Sequence, residues 1–233
     1  MREIVFDTET TGLSPADGHK LVEIGCIELV NRVETGRHYH CYINPGRSMP
    51  SEAEAVHGLS EKFLSDKPSF AEIAADLIEF IQDSPLVAHN ATFDFGFLNW
   101  ELQACGRDPV DLGRMVDTLA IARARHPGAK HSLDALCSRY GVDRSQRVKH
   151  GALLDAQLLA QVYVELRGGR QIGFSLAETQ SADSPVSGPV GAPIERQFRS
   201  ARPHRASDAE LARHAAFVST LADPLWSGLL NAA

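Results

Sequence analysis

A chain of 233 residues, 43% hydrophobic and carrying a formal net charge of −7, is long enough for one sizeable core with a tail or for two small domains. The acidic balance argues against a stand-alone nucleic-acid binder, whose footprint is basic, but leaves room for an enzyme whose acids hold metal while a partner holds the substrate. No apolar run reaches the length of a membrane span. With no secretory signal at the N-terminus and no C-x-x-C pair among Cys26, Cys41, Cys105 and Cys137, reduced thiols in a cytoplasmic protein are expected rather than structural zinc.

The first strand is read over Arg2–Phe6, where β-branched and aromatic residues are too few for a helix. It runs into Asp7-Thr8-Glu9-Thr10-Thr11-Gly12. Alternation along a strand places Asp7 and Glu9 on one face. Two acids there repel and lose hydration, which a divalent cation would offset; a solvated strand end or a helix cap is the plainer alternative, Asp and Thr being common in turns. Lys20–Val30 reads as a second strand, Glu34-Thr35-Gly36 as a hairpin turn and His38–Ile43 as a third strand closed by Asn44-Pro45-Gly46.

Ser51–Val56 reads as a short helix capped by Ser51 and ending in His57-Gly58-Leu59-Ser60. Ser69 opens a longer one, with Phe70, Ile73, Ala74, Leu77, Ile78 and Ile81 on one face and Pro85 beyond its end. Leu86-Val87-Ala88 is a short buried strand leading to His89-Asn90, and a helix runs from Phe93 to about Cys105. Met115-Val116 is the fifth strand, with Asp117 placed to cap a helix from Thr118 onward; helices are expected over 119–125, 132–140 and 152–167. The fold class is therefore α/β, a mixed five-stranded sheet (antiparallel meander, then parallel strands) flanked by helices.

Composition changes near Gly168-Gly169. This predicts a folded domain over residues 1–170 and a flexible linker over 171–205, rich in Ser, Pro, Gly and Ala from Ala177 on. A tail over 206–233 regains apolar periodicity at Leu211, Ala215, Val218 and Leu221 and again at 224–230. So short a segment buries little alone, so it reads as a docking element for a partner protein, a frayed, partly helical tail being the alternative.

Asp94 between Phe93 and Phe95, and Asp155 on a helix face shared with Leu158 and Leu159, are costly carboxylates unless paired. His150 lies in the loop just ahead of the last helix. Asp7, Glu9, Asp94 and Asp155 together, with a histidine close by, are explained by one cause, a two-metal hydrolytic site, or by four separate coincidences of capping and pairing.

Asp7-Thr8-Glu9-Thr10-Thr11-Gly12-Leu13, then His57-Gly58-Leu59, then His89-Asn90-Ala91-Thr92-Phe93-Asp94, then His150 five residues before Asp155, resemble, in that order, the motifs of the DEDDh exonuclease superfamily. Within it, the pattern is similar to the proofreading subunits of bacterial replicative DNA polymerases. The resemblance covers about residues 1–167. It implies an RNase H-like fold and 3′→5′ removal of nucleotides from a DNA 3′ end with two divalent cations, Mg²⁺ or Mn²⁺. Carried over, Asp7 bridges the two metals, Glu9, Asp94 and Asp155 complete the ligands, and His150 is the general base, an imidazole titrating near ~6.5 being matched to that task.

The resemblance also implies that Thr10, Gly12 and Leu13 line the terminal-nucleotide pocket, with Leu13 as a wedge, and that Val56, His57, Asn90 and Phe93 touch that nucleotide or its neighbour. On burial preference alone His57 and Phe93 are equally core residues. Mismatch selection would come from fraying, since a mispaired end unpairs more readily. Gln171, Phe174 and Leu176 lie in a peptide resembling those that bind the sliding clamp, although Leu176 stands where many such peptides have an aromatic residue. The docking segment would hold the polymerase catalytic (alpha) subunit, and the tether would raise local concentration at the primer end. The rival readings are a free-standing exoribonuclease or DNA repair exonuclease with the same site, and a non-catalytic adaptor between polymerase and clamp.

Overall fold

The computed structural model describes residues 1–147, 149–169 and 206–221. The clamp-like Gln171, Phe174 and Leu176, the linker to residue 205 and the apolar run at 224–230 lie outside them. The chain divides into two compact units, Met1–Ala177 and Glu178–Ala233. No helix among the described residues is long and apolar enough to cross a membrane.

In the first unit, β1 (Arg2–Thr10), β2 (Leu21–Val30) and β3 (Val33–Tyr42) form an antiparallel meander. β4 (Leu86–Ala88) and β5 (Met115–Asp117) run parallel to β1, giving the order β3-β2-β1-β4-β5. This is the expected mixed sheet. Its first strand is longer than expected: Leu21 to Ile24 of β2 supply backbone partners as far as Thr10, so the acidic stretch is strand rather than turn.

The hairpin also differs from expectation. The turn is at Asn31-Arg32, both left-handed (φ 52° and 65°), which matches a tight two-residue hairpin. Arg32 is anchored there by its guanidinium donating to the Arg167 carbonyl at 2.9 Å. Glu34, Thr35 and Gly36 lie inside β3, where Gly36 (φ 84°) sits at a break in register between Ile27 and Leu29. The glycine marks a bulge, not the turn.

Alternation splits the sheet residues between two cores. Ile4, Phe6, Ile24 and Cys26 pack with α3 (Phe70–Ile81) and α4 (Ala91–Ala104). Val5, Ile27, Leu29 and Val87 pack with α7 (Ala152–Leu166) on the other face. Outside α7 lie α5 (Thr118–Arg125) and α6 (Leu133–Tyr140), meeting Leu158, Val162 and Leu166. Layered on both sides, α7 is buried almost all round, so its one early acid cannot reach bulk water unless the sheet edge opens there.

Along α3 the buried residues are Phe70, Ile73, Ala74, Leu77 and Ile81, as the periodicity requires, and the Ser69 N–H donates to the Glu72 carboxylate at 2.7 Å. The short α1 (Ser51–His57) is capped at Pro50 rather than Ser51; proline's fixed φ suits entry into a helix. A further turn of helix, α2 (Glu61–Leu64), is capped by Ser60 and is too short to show a period in the sequence. In the second unit α8 (Asp208–Val218) opens with a capping box between Ser207 and Glu210 and leaves Leu211 and Phe217 exposed.

Candidate active site

The acids collect where β1 ends and two helices begin. Asp7 and Glu9 project from β1 toward the α7 side, opposite Gly25 and Glu23 of β2. Gly25 has no side chain for a reason: a methyl there would be driven into the backbone of Ala152 and Leu153. The first turn of α7 therefore rests directly on β2, and it carries Asp155, only 3% exposed, over the sheet. Asp94 arrives from the other side in the first turn of α4 and accepts a hydrogen bond from the Thr8 hydroxyl at 2.7 Å. α4 starts so abruptly after β4 because Asn90 is left-handed (φ 64°) and the Asn90 and Ala91 N–H groups both donate to Asp117. Asp117 also caps α5 through the Leu119 N–H at 2.9 Å.

Glu9, Asp155 and His150 each offer a ligand atom within 4.8 Å of the other two. Asp7 and Asp94 adjoin them closely enough for mutual repulsion. Burial, then the charges of Asp94, Glu9 and Asp155, pushes the Asp7 carboxyl well above its usual range. Burial, then Glu23 and Asp155, pushes Glu9 up to about 8, and burial pushes Asp94 up to about 7 despite the Thr8 hydroxyl. Glu9 faces the buried Glu23 directly across the strands, and His40 pairs with Glu23 at 2.7 Å.

Arg147 opposes this charge. It forks onto Asp155, Nε to Oδ1 at 2.5 Å and a terminal nitrogen to Oδ2 at 2.6 Å, and donates to Asp134 at 3.0 Å and to His150 Nδ1 at 2.9 Å. His150 Nδ1 lies 3.4 Å from Asp155 Oδ2, with its side chain half exposed. One guanidinium, committed to Asp155, leaves Asp7, Glu9 and Asp94 without a cationic partner among the described residues, and all four acids offer hard oxygen atoms. Such a donor set suits a hard divalent cation and is poor for zinc.

Beside the acids is a cavity of about 580 Å³ lined by Thr10, Gly12, Leu13, Val56, His57 and Phe93, together with Glu9, His19 and Glu52. Asn90 is not among its lining residues. Leu13 is 85% exposed at the mouth. Gly12 admits the His19 ring, which a side chain at that position would displace. His57 is buried, as its core reading requires. Its Nδ1 accepts from the Leu59 N–H at 3.0 Å, while its Nε2 has no hydrogen-bond partner. Burial first, with the Lys149 charge adding to it, lowers the His57 pKa and favours the neutral ring. Phe93 is partly buried against Phe97 at 5.1 Å between centroids.

Arg147, Thr8 and Gly25 escaped sequence reading. A lone arginine in a polar loop has no periodic or motif signature, and the Thr8 contact spans 86 residues. The glycine alone offered a signal: one interrupting a strand-like apolar run marks close approach of another backbone.

The exonuclease family model matches residues 4–163. The chain is 56% identical over 181 residues to the DNA polymerase III subunit epsilon of Rickettsia typhi, covering 76% of this chain and 79% of that one. It is 44% identical over 227 residues to the subunit of the same name from Escherichia coli K12, covering 92% and 91%. Among solved structures, exonuclease X in complex with 5′ overhanging duplex DNA aligns at 26% identity with a TM-score of 0.55, over 70% of this chain and 89% of that one. The nuclease domain of 3′hExo, a DEDDh family member bound to rAMP, aligns with a TM-score of 0.62 at 16% identity, over 71% and 91%, and shares the RNase H-like fold. The chain belongs to the exonuclease family and, within it, to the DNA polymerase III epsilon subunits.

Proposed function

We propose that this protein is the 3′→5′ exonuclease that proofreads for a replicative DNA polymerase, cutting the terminal phosphodiester at the acidic cluster. The observation that carries the reading is the meeting of Glu9, Asp155 and His150 within 4.8 Å, with Asp7 and Asp94 pressed against them by the fold. Asp7, Glu9, Asp94 and Asp155 would hold two divalent cations, Mg²⁺ or Mn²⁺. When bound, such ions would supply Lewis acidity toward water and phosphate and neutralise the departing oxygen.

His150 is the proton acceptor. A neutral imidazole has one accepting nitrogen, and Arg147 now donates to Nδ1, so taking a proton there requires the guanidinium to withdraw. Thr8 fixes the Asp94 rotamer. The terminal nucleotide lies in the cavity over Gly12, with Leu13 at its mouth and His57 in its lining. Val56 and Phe93 supply apolar contact indifferent to base identity, and Asn90 meets the neighbouring nucleotide. Mispaired ends enter more readily because they unpair more readily. The 206–233 segment, whose α8 exposes Leu211 and Phe217, docks on the polymerase catalytic subunit. Gln171, Phe174 and Leu176 engage the sliding clamp, and the 171–205 linker joins the two functions.

Digestion of a 5′-labelled, mispaired primer tests the reading, in Mg²⁺ or Mn²⁺ and after chelation, with matched DNA and RNA strands alongside. We expect metal-dependent shortening from the 3′ end, faster for the mispaired DNA. Asp7→Ala and His150→Ala should each reduce it by about 10²-fold or more while leaving circular dichroism and polymerase binding unchanged. Full nuclease activity in Asp7→Ala protein would reject the site.

A further inference from the structure

Next to the acidic cluster, on the outer side of His150, is a second cavity of about 300 Å³ lined by Asp134, Arg144, Arg147, Lys149 and His150. It is the reverse of its neighbour in charge. Two of its three cations are already committed: Arg144 pairs with Asp134 at 2.9 Å, and Arg147 is shared between Asp134 and Asp155. Lys149 has no carboxylate within ion-pairing distance among the described residues.

The position of that ammonium group is defined. The loop carrying it is tied to the rim of the nucleotide cavity, where the His150 N–H donates to the Val56 carbonyl at 3.4 Å. The Lys149 side chain crosses the same rim over Gly58, so closely that a methyl on that glycine would lie 2.8 Å from Lys149 Cδ and 2.9 Å from Nζ. Gly58 is left-handed (φ 77°) and closes α1 one residue after His57, so the bare backbone there leaves the space the lysine uses. Its charge is felt at His57, whose pKa burial lowers first and Lys149 lowers last, against Glu23 and Glu54. Lys149 thus lines the second cavity beside the proposed base and lies over the glycine that follows His57 of the nucleotide cavity, with no carboxylate paired to it among the described residues. A group placed there would be anionic.

We propose that Lys149 holds the phosphoryl group of the 3′-terminal nucleotide, first as the reacting diester and after cleavage as the 5′-monophosphate. This rests on the exonuclease reading for the identity of the nucleotide, but the contact itself rests on the geometry above. A phosphate monoester carries more negative charge than the diester it came from, so the lysine gains most as the product forms.

The test is equilibrium binding of thymidine 5′-monophosphate, and separately of thymidine, to the full chain in Mn²⁺, for the wild type, Lys149→Gln and Lys149→Arg. Lys149→Gln should weaken the nucleotide roughly fivefold at low salt, the size of one exposed charge contact, and leave thymidine unchanged. Lys149→Arg should stay close to the wild type, and the gap should close near 1 M salt. Equal nucleotide affinity in wild type and Lys149→Gln would overturn the proposal, as would parallel loss of thymidine and nucleotide, which would mark a displaced loop. Primer digestion by the same proteins separates this from the broader reading. Phosphate-selective loss in a chain that degrades no strand would refute the exonuclease and keep the contact; active digestion without that loss would remove the contact alone.

Discussion

Replacing Glu9 by Gln should make the metal-free protein more stable at pH 8 while destroying its activity. Glu9 is buried opposite Glu23 and beside Asp155, and its carboxyl is raised from 4.5 to about 8. For a group whose folded pKa is raised, the stabilising protonated form is fully present below the unfolded value and is lost as pH climbs through the folded one. The window is therefore about pH 4.5 to 8, and Asp94, raised from 3.8 to about 7, erodes stability in the same direction just below it. At about 1.36 kcal/mol per pH unit, the Glu9 gap sets a ceiling of about 5 kcal/mol. Water entry and side-chain adjustment relieve part of this, so about 3 kcal/mol is expected, or roughly 6–12 °C in Tm for a domain of this size. The assay is thermal or urea unfolding in a chelator across pH 5–9, read as wild type minus Glu9→Gln so that other titrating groups cancel. The two proteins should coincide near pH 5 and diverge toward pH 8 with the variant the more stable. Excess Mg²⁺ at pH 8 should reverse the order, because only the wild type retains the full ligand set. A Glu9→Gln protein less stable than the wild type at pH 8 in chelator would refute the reasoning.

Two further perturbations probe the same geometry. Gly25→Ala pushes a methyl into the Ala152–Leu153 backbone; overpacking of this kind costs about 1–3 kcal/mol, and because α7 carries Asp155, primer digestion should fall at least about tenfold with the helix content unchanged by circular dichroism. Arg147→Ala strips both Asp155 oxygens of their donor and should destabilise the metal-free protein by about 3 kcal/mol; added Mg²⁺ should then raise its Tm more than that of the wild type, and equal Tm gains would count against a shared role for guanidinium and cation.

The order of strands and the helix faces come from local chemistry. Ile24 and Cys26 of β2 enter one core and Ile27 and Leu29 the other, as alternation along a strand dictates. The α3 stripe was readable because a single helix buries one face against one sheet. The hairpin misled because the strongest local turn residue, Gly36, serves a bulge, while Asn31 and Arg32 adopt the left-handed backbone of the tight turn, with the Arg32 side chain bonded to Arg167, 135 residues away. The strand end at Phe6 misled for a related reason: polar residues signal a turn only until another strand supplies their backbone partners.

By itself, the sequence determined which residues are too costly to bury alone. Asp7, Glu9, Asp94 and Asp155, spaced along strand and helix ends, are visible as a problem wanting one solution, and their order matches a family that solves it with metal. Only the tertiary structure decided how they meet: the bare backbone of Gly25 letting α7 touch the sheet, Thr8 fastening Asp94, and Arg147 occupying Asp155 and His150 together. The first two join segments far apart in the chain, and the energies of all three depend on distances of a few ångströms that no local pattern of residue types encodes.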